Sequence, residues 1–185
     1  NIRARDVQNA REVELGRPQV VCGHYTSWLH YGWLMRGNLA EAEGGMADCR
    51  DRVTSGSANA GEVSYFVNMR ARHVLDTRDW AAAARLSADV DHPGYRFVTA
   101  YAAIKQGNRG IAREILGELQ RTGGLDAAPR LVIAQKELEA MLAMEAGDCR
   151  RALELLREAT EIEEGLPFEF GPPASLKPPH ELLGE

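Results

Sequence analysis

The feature that most constrains this chain is a short element that occurs four times. "LMRGNLAEA" from Leu34, "IKQGNRGIA" from Ile104 and "MEAGDCRRA" from Met144 share an apolar residue, a Gly, then Asn or Asp, and an Ala five positions after the Gly. "LDTRDWAAA" from Leu75 is the same element with Arg78 in place of the Gly. The markers Gly37, Arg78, Gly107 and Gly147 lie 41, 29 and 40 residues apart, and a period of this size is the length of one helix pair in a repeat array. Each position has a physical job. Gly supplies the left-handed backbone that ends one helix, and Asn38, Asp79, Asn108 or Asp148 can cap the next by accepting its first free N–H groups. Ala42, Ala83, Ala112 and Ala152 are small, so the second helix can lie close against the first. Gly107 and Gly147 are therefore expected at positive φ.

The segments between these turns carry a helical period. In "EVSYFVNMRARHVLD" the apolar set Val63, Phe66, Val67, Ala71, Val74 and Leu75 follows three-four spacing, and so does Ala152, Leu155, Leu156, Ala159 and Ile162 in "CRRALELLREATEI". Loops fall where Gly, Ser, Asn and Pro gather, in "TSGSANAG", "DHPG" and "TGGLDAAP". No stretch shows sustained alternation. The expectation is an all-α chain without a sheet, with helix pairs near 19–53, 62–90, 94–122 and 129–164 and a weak helix in 1–15.

Composition narrows the function classes. With 185 residues and 44% apolar content the chain can bury a core, and its net charge of −5 without a basic cluster argues against nucleic acid as a partner. No apolar run approaches the roughly 18 to 20 residues of a membrane span, so no membrane partner is expected. Cys22, Cys49 and Cys149 are odd in number and lack C-x-x-C spacing, which reads as buried thiols rather than a disulfide framework or a zinc site. Buried thiols favour a reducing compartment, and the chain is expected to be cytoplasmic. Catalytic signatures are also missing. "HELLG" from His180 has Gly184 where H-E-x-x-H needs its second ligand, and no Gly-x-Ser-x-Gly, P-loop or G-x-G-x-x-G occurs. No catalytic residue, cofactor or metal is expected.

The turn elements resemble those of the tetratricopeptide repeat. The small residue of that family midway along each first helix is present as Ala71, Ala100 and Ala140 but is His30 in the first unit, and the proline near each repeat end is absent. The stretches "HYTSWLHYGWLMRGNLAEA", "MRARHVLDTRDWAAAARL", "KELEAMLAMEAGDCRRALELL" and "FEFGPPASLKPPHELLGE" are similar to bacterial proteins carrying such repeats. The resemblance implies a right-handed α–α superhelix over 1–185, a piece of a longer protein. In it 165–185 is a proline-rich connector anchored by Phe168 and Phe170, and a further helix starts at Pro178-Pro179-His180-Glu181.

The same resemblance implies an interaction scaffold rather than a reaction. In such arrays the first helix of each pair lines a concave groove. The positions that match are His24, Trp28 and Tyr31, then Tyr65, Met69 and Arg72, then Phe97, Tyr101 and Lys105, then Glu137 and Met141. Aromatics, Met and Arg are favoured at interfaces because they offer large contact areas; the competing reading places the aromatics in the core between repeats. The Lys and Asn of a carboxylate clamp are replaced by Ser27, Tyr31, Met69 and Val98, so an acidic C-terminal peptide is not the expected ligand. The expected partner is a protein, a peptide or a second copy of the chain. The alternative is a regulatory or substrate-presenting domain of a larger enzyme.

Overall fold

Every regular element expected from the sequence is helical, and so is every one observed. The structure, a computed structural model, describes residues 2–86, 90–123, 128–167 and 170–185. Among the described residues there is no strand, and no helix is long and apolar enough to cross a membrane. The chain divides into two compact units, Asn1–Thr77 and Arg78–Glu185, where the sequence suggested a single array.

Unit 1 holds α1 (Ile2–Glu14), α2 (His24–Met35), α3 (Leu39–Gly44), α4 (Ala47–Thr54) and α5 (Ala60–Thr77). The weak periodicity of α1 has its counterpart in packing, since none of its residues is buried. At the first turn Gly37 has φ +72, Asn38 N–H donates to the Trp33 carbonyl at 2.9 Å and Gly37 N–H to that of Leu34 at 2.9 Å. These two bonds form the glycine C-cap of a Schellman motif. Asn38 makes no side-chain cap to α3, contrary to expectation. The second helix of this pair is also broken, into α3 and α4, where one helix was expected. The interruption falls at Gly45, whose missing side chain is needed: a Cβ there would lie 2.5 Å from the Trp33 ring.

The core of unit 1 corrects the cysteine reading. Cys22 and Cys49 form a disulfide across 27 residues, with their Cα atoms 4.9 Å apart. The bridge sits among Met46, Phe66 and Met69. Cys149, expected to be buried, is a free and exposed thiol in unit 2.

Unit 2 holds α6 (Trp80–Ala83), α7 (Pro93–Lys105), α8 (Arg109–Gly123), α9 (Pro129–Glu145), α10 (Cys149–Glu164) and α11 (Pro179–Gly184). Gly107 and Gly147 have φ +79 and +83, as the turn chemistry requires. Asn108 N–H donates to the Ala103 carbonyl at 2.7 Å and Asp148 N–H to that of Ala143 at 2.9 Å. Arg78, in the position of the missing Gly, has φ +57, a strained conformation for a residue with a Cβ. Asp79 and Asp148 act as caps, their carboxylates accepting from Ala82 N–H and Arg151 N–H at 3.0 Å each. All four small alanines, 42, 83, 112 and 152, are buried, so in each pair the second helix presents a methyl where a larger side chain would hold it off. The helix after Arg78 is only four residues long.

Pro129 opens α9 at its first turn, where a missing N–H costs nothing. The C-terminal segment returns to the unit through α11, which packs against α10 and α9, with Leu182 buried. Phe170, expected as an anchor of the connector, is 76% exposed. Phe168 lies outside the described residues.

Candidate functional site

In unit 1 the expected groove residues divide between surface and interior. Three-four spacing on α2 puts His24 and Trp28 one turn apart, and their rings lie 4.2 Å between centroids. Tyr25 meets both edge-on, at 5.8 and 6.3 Å. His24 is exposed and Tyr25 and Trp28 are half-buried, so this aromatic group is open to solvent. Tyr31 and Tyr65 are also half-buried. The Arg72 guanidinium stands 5.7 Å from the Tyr31 ring centre, and Arg72 is itself buried. Met69 belongs to the core beside the disulfide.

The most unusual group in unit 1 lies at the position where the sequence departs from the tetratricopeptide pattern that its turns resemble. His30 is fully buried, and among the described residues neither of its ring nitrogens has a hydrogen-bond partner. Its ring is 5.7 Å from that of His73, whose Nε2 lies 3.7 Å from Glu43 and whose Nδ1 is buried without a partner among the described residues. Burial, reinforced by His73 and Arg72, lowers the His30 pKa to about 3, so the ring is neutral at any ordinary pH.

In unit 2 the helical spacing of α7 and α9 again places the expected residues on one face, and that face is covered. Phe97 and Tyr101 are buried, 6.0 Å apart between ring centres, and Trp80 lies 5.8 Å from Tyr101. Lys105 is exposed, its ammonium 5.4 Å from the Tyr101 ring centre. Burial, aided by Glu185, pushes the Tyr101 hydroxyl up to about 12. Glu137 is 1% exposed, and its Oε1 accepts no hydrogen bond among the described residues. Burial, with Glu163 adding to it, holds its carboxyl well above the usual carboxylate range. Met141 is buried at a cleft of about 170 Å³ that it shares with Ile104, Lys105, Leu156 and Leu182.

Two buried polar groups of the C-terminal segment escaped the sequence reading. Ser175 and Lys177 are both buried, and the Lys177 ammonium donates to Glu181 and, at 2.6 Å, to Glu185. Burial works to lower the Lys177 pKa, but these two hydrogen bonds outweigh it and raise it. The only hint in the sequence was the i, i+4 spacing of Lys177 and Glu181. His180, of the incomplete zinc motif, faces Glu164 at 3.1 Å. No group of three or more His, Cys, Asp or Glu side chains among the described residues is placed to hold a metal ion.

The chain matches no known protein family, no curated protein and no solved structure. Its likeness to the tetratricopeptide repeat therefore rests on the turn elements of the sequence alone.

Proposed function

We propose that this chain is a non-catalytic interaction scaffold whose helix pairs form a tetratricopeptide-like α–α superhelix and which binds a peptide or a partner domain. The observation that carries the reading is the recurring turn. A residue at positive φ ends a helix at Gly37, Arg78, Gly107 and Gly147, and each is followed five residues later by a buried Ala. A chain built by repeating one such unit gains a long, regular surface rather than a single deep pocket, which is the architecture of contact.

In unit 1 the contact surface is the aromatic group of His24, Tyr25 and Trp28. Trp and Tyr dominate binding energy at interfaces because they desolvate large areas with few rotamers to fix. The test is affinity capture with the intact protein, followed by mass spectrometry, beside a His24→Ala/Trp28→Ala variant. A partner retained by the parent protein and lost by the variant, at unchanged helical circular dichroism, supports the assignment. Equal capture by both moves the contact away from α2.

A further inference from the structure

The face formed by α7 and α9 in unit 2 is occupied by the chain's own C-terminal segment. Glu185 lies 3.9 Å from the Lys105 ammonium, and that ammonium is over the Tyr101 ring. Leu182 and Glu185 line one cleft together with Met141 and Ile104. Ahead of α11, residues 171–178 have no regular secondary structure. Pro172, Pro173, Pro178 and Pro179 stiffen this stretch around Ser175 and Lys177, the composition of a preformed extended ligand. Although the stretch is irregular, Ser175 and Lys177 are buried.

This occupant leaves the face unsatisfied. A buried polar atom almost always has a hydrogen-bond partner, yet Glu137 Oε1 has none among the described residues. Lys177 reaches the same face, since its ammonium bonds to Glu185, which stands 3.9 Å from Lys105 and lines the cleft with Met141, one turn from Glu137 on α9. The Lys177 ammonium, however, bonds to Glu181 and Glu185, four and eight residues further along the same segment. The segment brings its own counter-ions, and they take the charge that Glu137 lacks.

We propose that segment 170–185 occupies a peptide-binding face of unit 2 in cis, and that the partner which replaces it is an extended, proline-flanked peptide whose lysine ammonium bonds to Glu137. The inference rests on the scaffold reading and supplies its ligand chemistry. A tethered segment acts at an effective concentration in the millimolar range, so a free peptide of similar sequence binds the intact chain poorly. Once the segment is loosened, the same peptide gains access, and without Glu181 and Glu185 beside it, its lysine is free for Glu137.

The probe is fluorescein-labelled GPPASLKPP, the sequence of 171–179, titrated by anisotropy against the full chain. The expected result is at least tenfold tighter binding to Lys177→Ala/Leu182→Ala than to the parent chain. Adding Glu137→Gln to that variant should reverse the gain by about tenfold. A peptide with norleucine for lysine should show the same loss on the loosened variant and no further loss on adding Glu137→Gln. Binding no tighter than to the parent overturns the proposal and leaves the scaffold reading to the capture experiment, which uses residues of unit 1. Tight binding that ignores Glu137→Gln overturns the lysine assignment. Should the loosened variant lose helical content, Glu181→Gln/Glu185→Gln alters only exposed residues. It turns Lys177 toward Glu137, so exchange of amides 180–185 should slow by about tenfold; unchanged or faster exchange overturns the proposal.

Discussion

Acidification should loosen unit 1 through His30. The folded unit holds this ring neutral, with its pKa lowered from 6.5 to about 3 by burial and by His73 and Arg72. The unfolded chain binds a proton near pH 6.5, so below that pH protons favour the unfolded state. Stability is complete above pH 6.5 and falls as pH drops toward the folded pKa. Between pH 8 and pH 5 the loss is about 2 kcal/mol, or about thirtyfold in the opening equilibrium, and it grows to about 4 kcal/mol near pH 3. The value at pH 5 is set almost wholly by the unfolded pKa, because the folded one lies well below 5. Hydrogen exchange of the full chain, read peptide by peptide over α2 and α5 and corrected for intrinsic rates, measures it directly. His30→Leu keeps an apolar side chain in the site and should flatten the response. An equal pH response in the parent and the variant would refute the argument, and so would parent protection that is constant between pH 8 and pH 5.

Glu137 should give unit 2 the opposite dependence, since its folded pKa is raised by burial and by Glu163. Its contribution is present below the unfolded carboxylate pKa and lost as pH rises, so Glu137→Gln should increase protection of α9 at pH 8 and change little at pH 4. Reducing the Cys22–Cys49 bridge reopens a 27-residue loop and should lower unit 1 stability by about 3 to 4 kcal/mol, read as earlier denaturant unfolding of the α2 and α5 amides. Arg78→Gly relieves a left-handed residue and should stabilise the chain by about 0.5 to 1 kcal/mol, a rise in Tm that Gly107→Ala should reverse in sign at its own turn.

The repeated turns were legible because their requirements are local. A left-handed residue, a capping carboxylate and a small residue five positions on can be read within one decapeptide, and Gly107, Gly147, Asp148 and Ala152 behave accordingly. Asn38 shows the limit, since an Asn at a cap position is permissive and makes no side-chain bond here. The disulfide was illegible because Cys22 and Cys49 share no local motif and meet only through tertiary packing. His30 was visible as a departure from the small residue of the repeat that the turns resemble, yet sequence could not show that its ring is sealed from partners. The resemblance put Tyr101, Glu137 and Met141 along one groove, but it could not show that the C-terminal segment with Lys177 and Leu182 packs there. Phe170 misled because an aromatic residue beside prolines suggests burial, whereas its surface is largely exposed.

The central claim is that the chain works by contact through its helix pairs, with Trp28 as an anchor. The most direct measurement is calorimetric titration of the captured partner against the parent protein, Trp28→Ala and Leu153→Ala, the last at an exposed position on α10. The account predicts at least tenfold weaker binding for Trp28→Ala, the loss of an aromatic anchor, and unchanged binding for Leu153→Ala. Equal affinities for all three proteins, or a loss confined to Leu153→Ala, would contradict it.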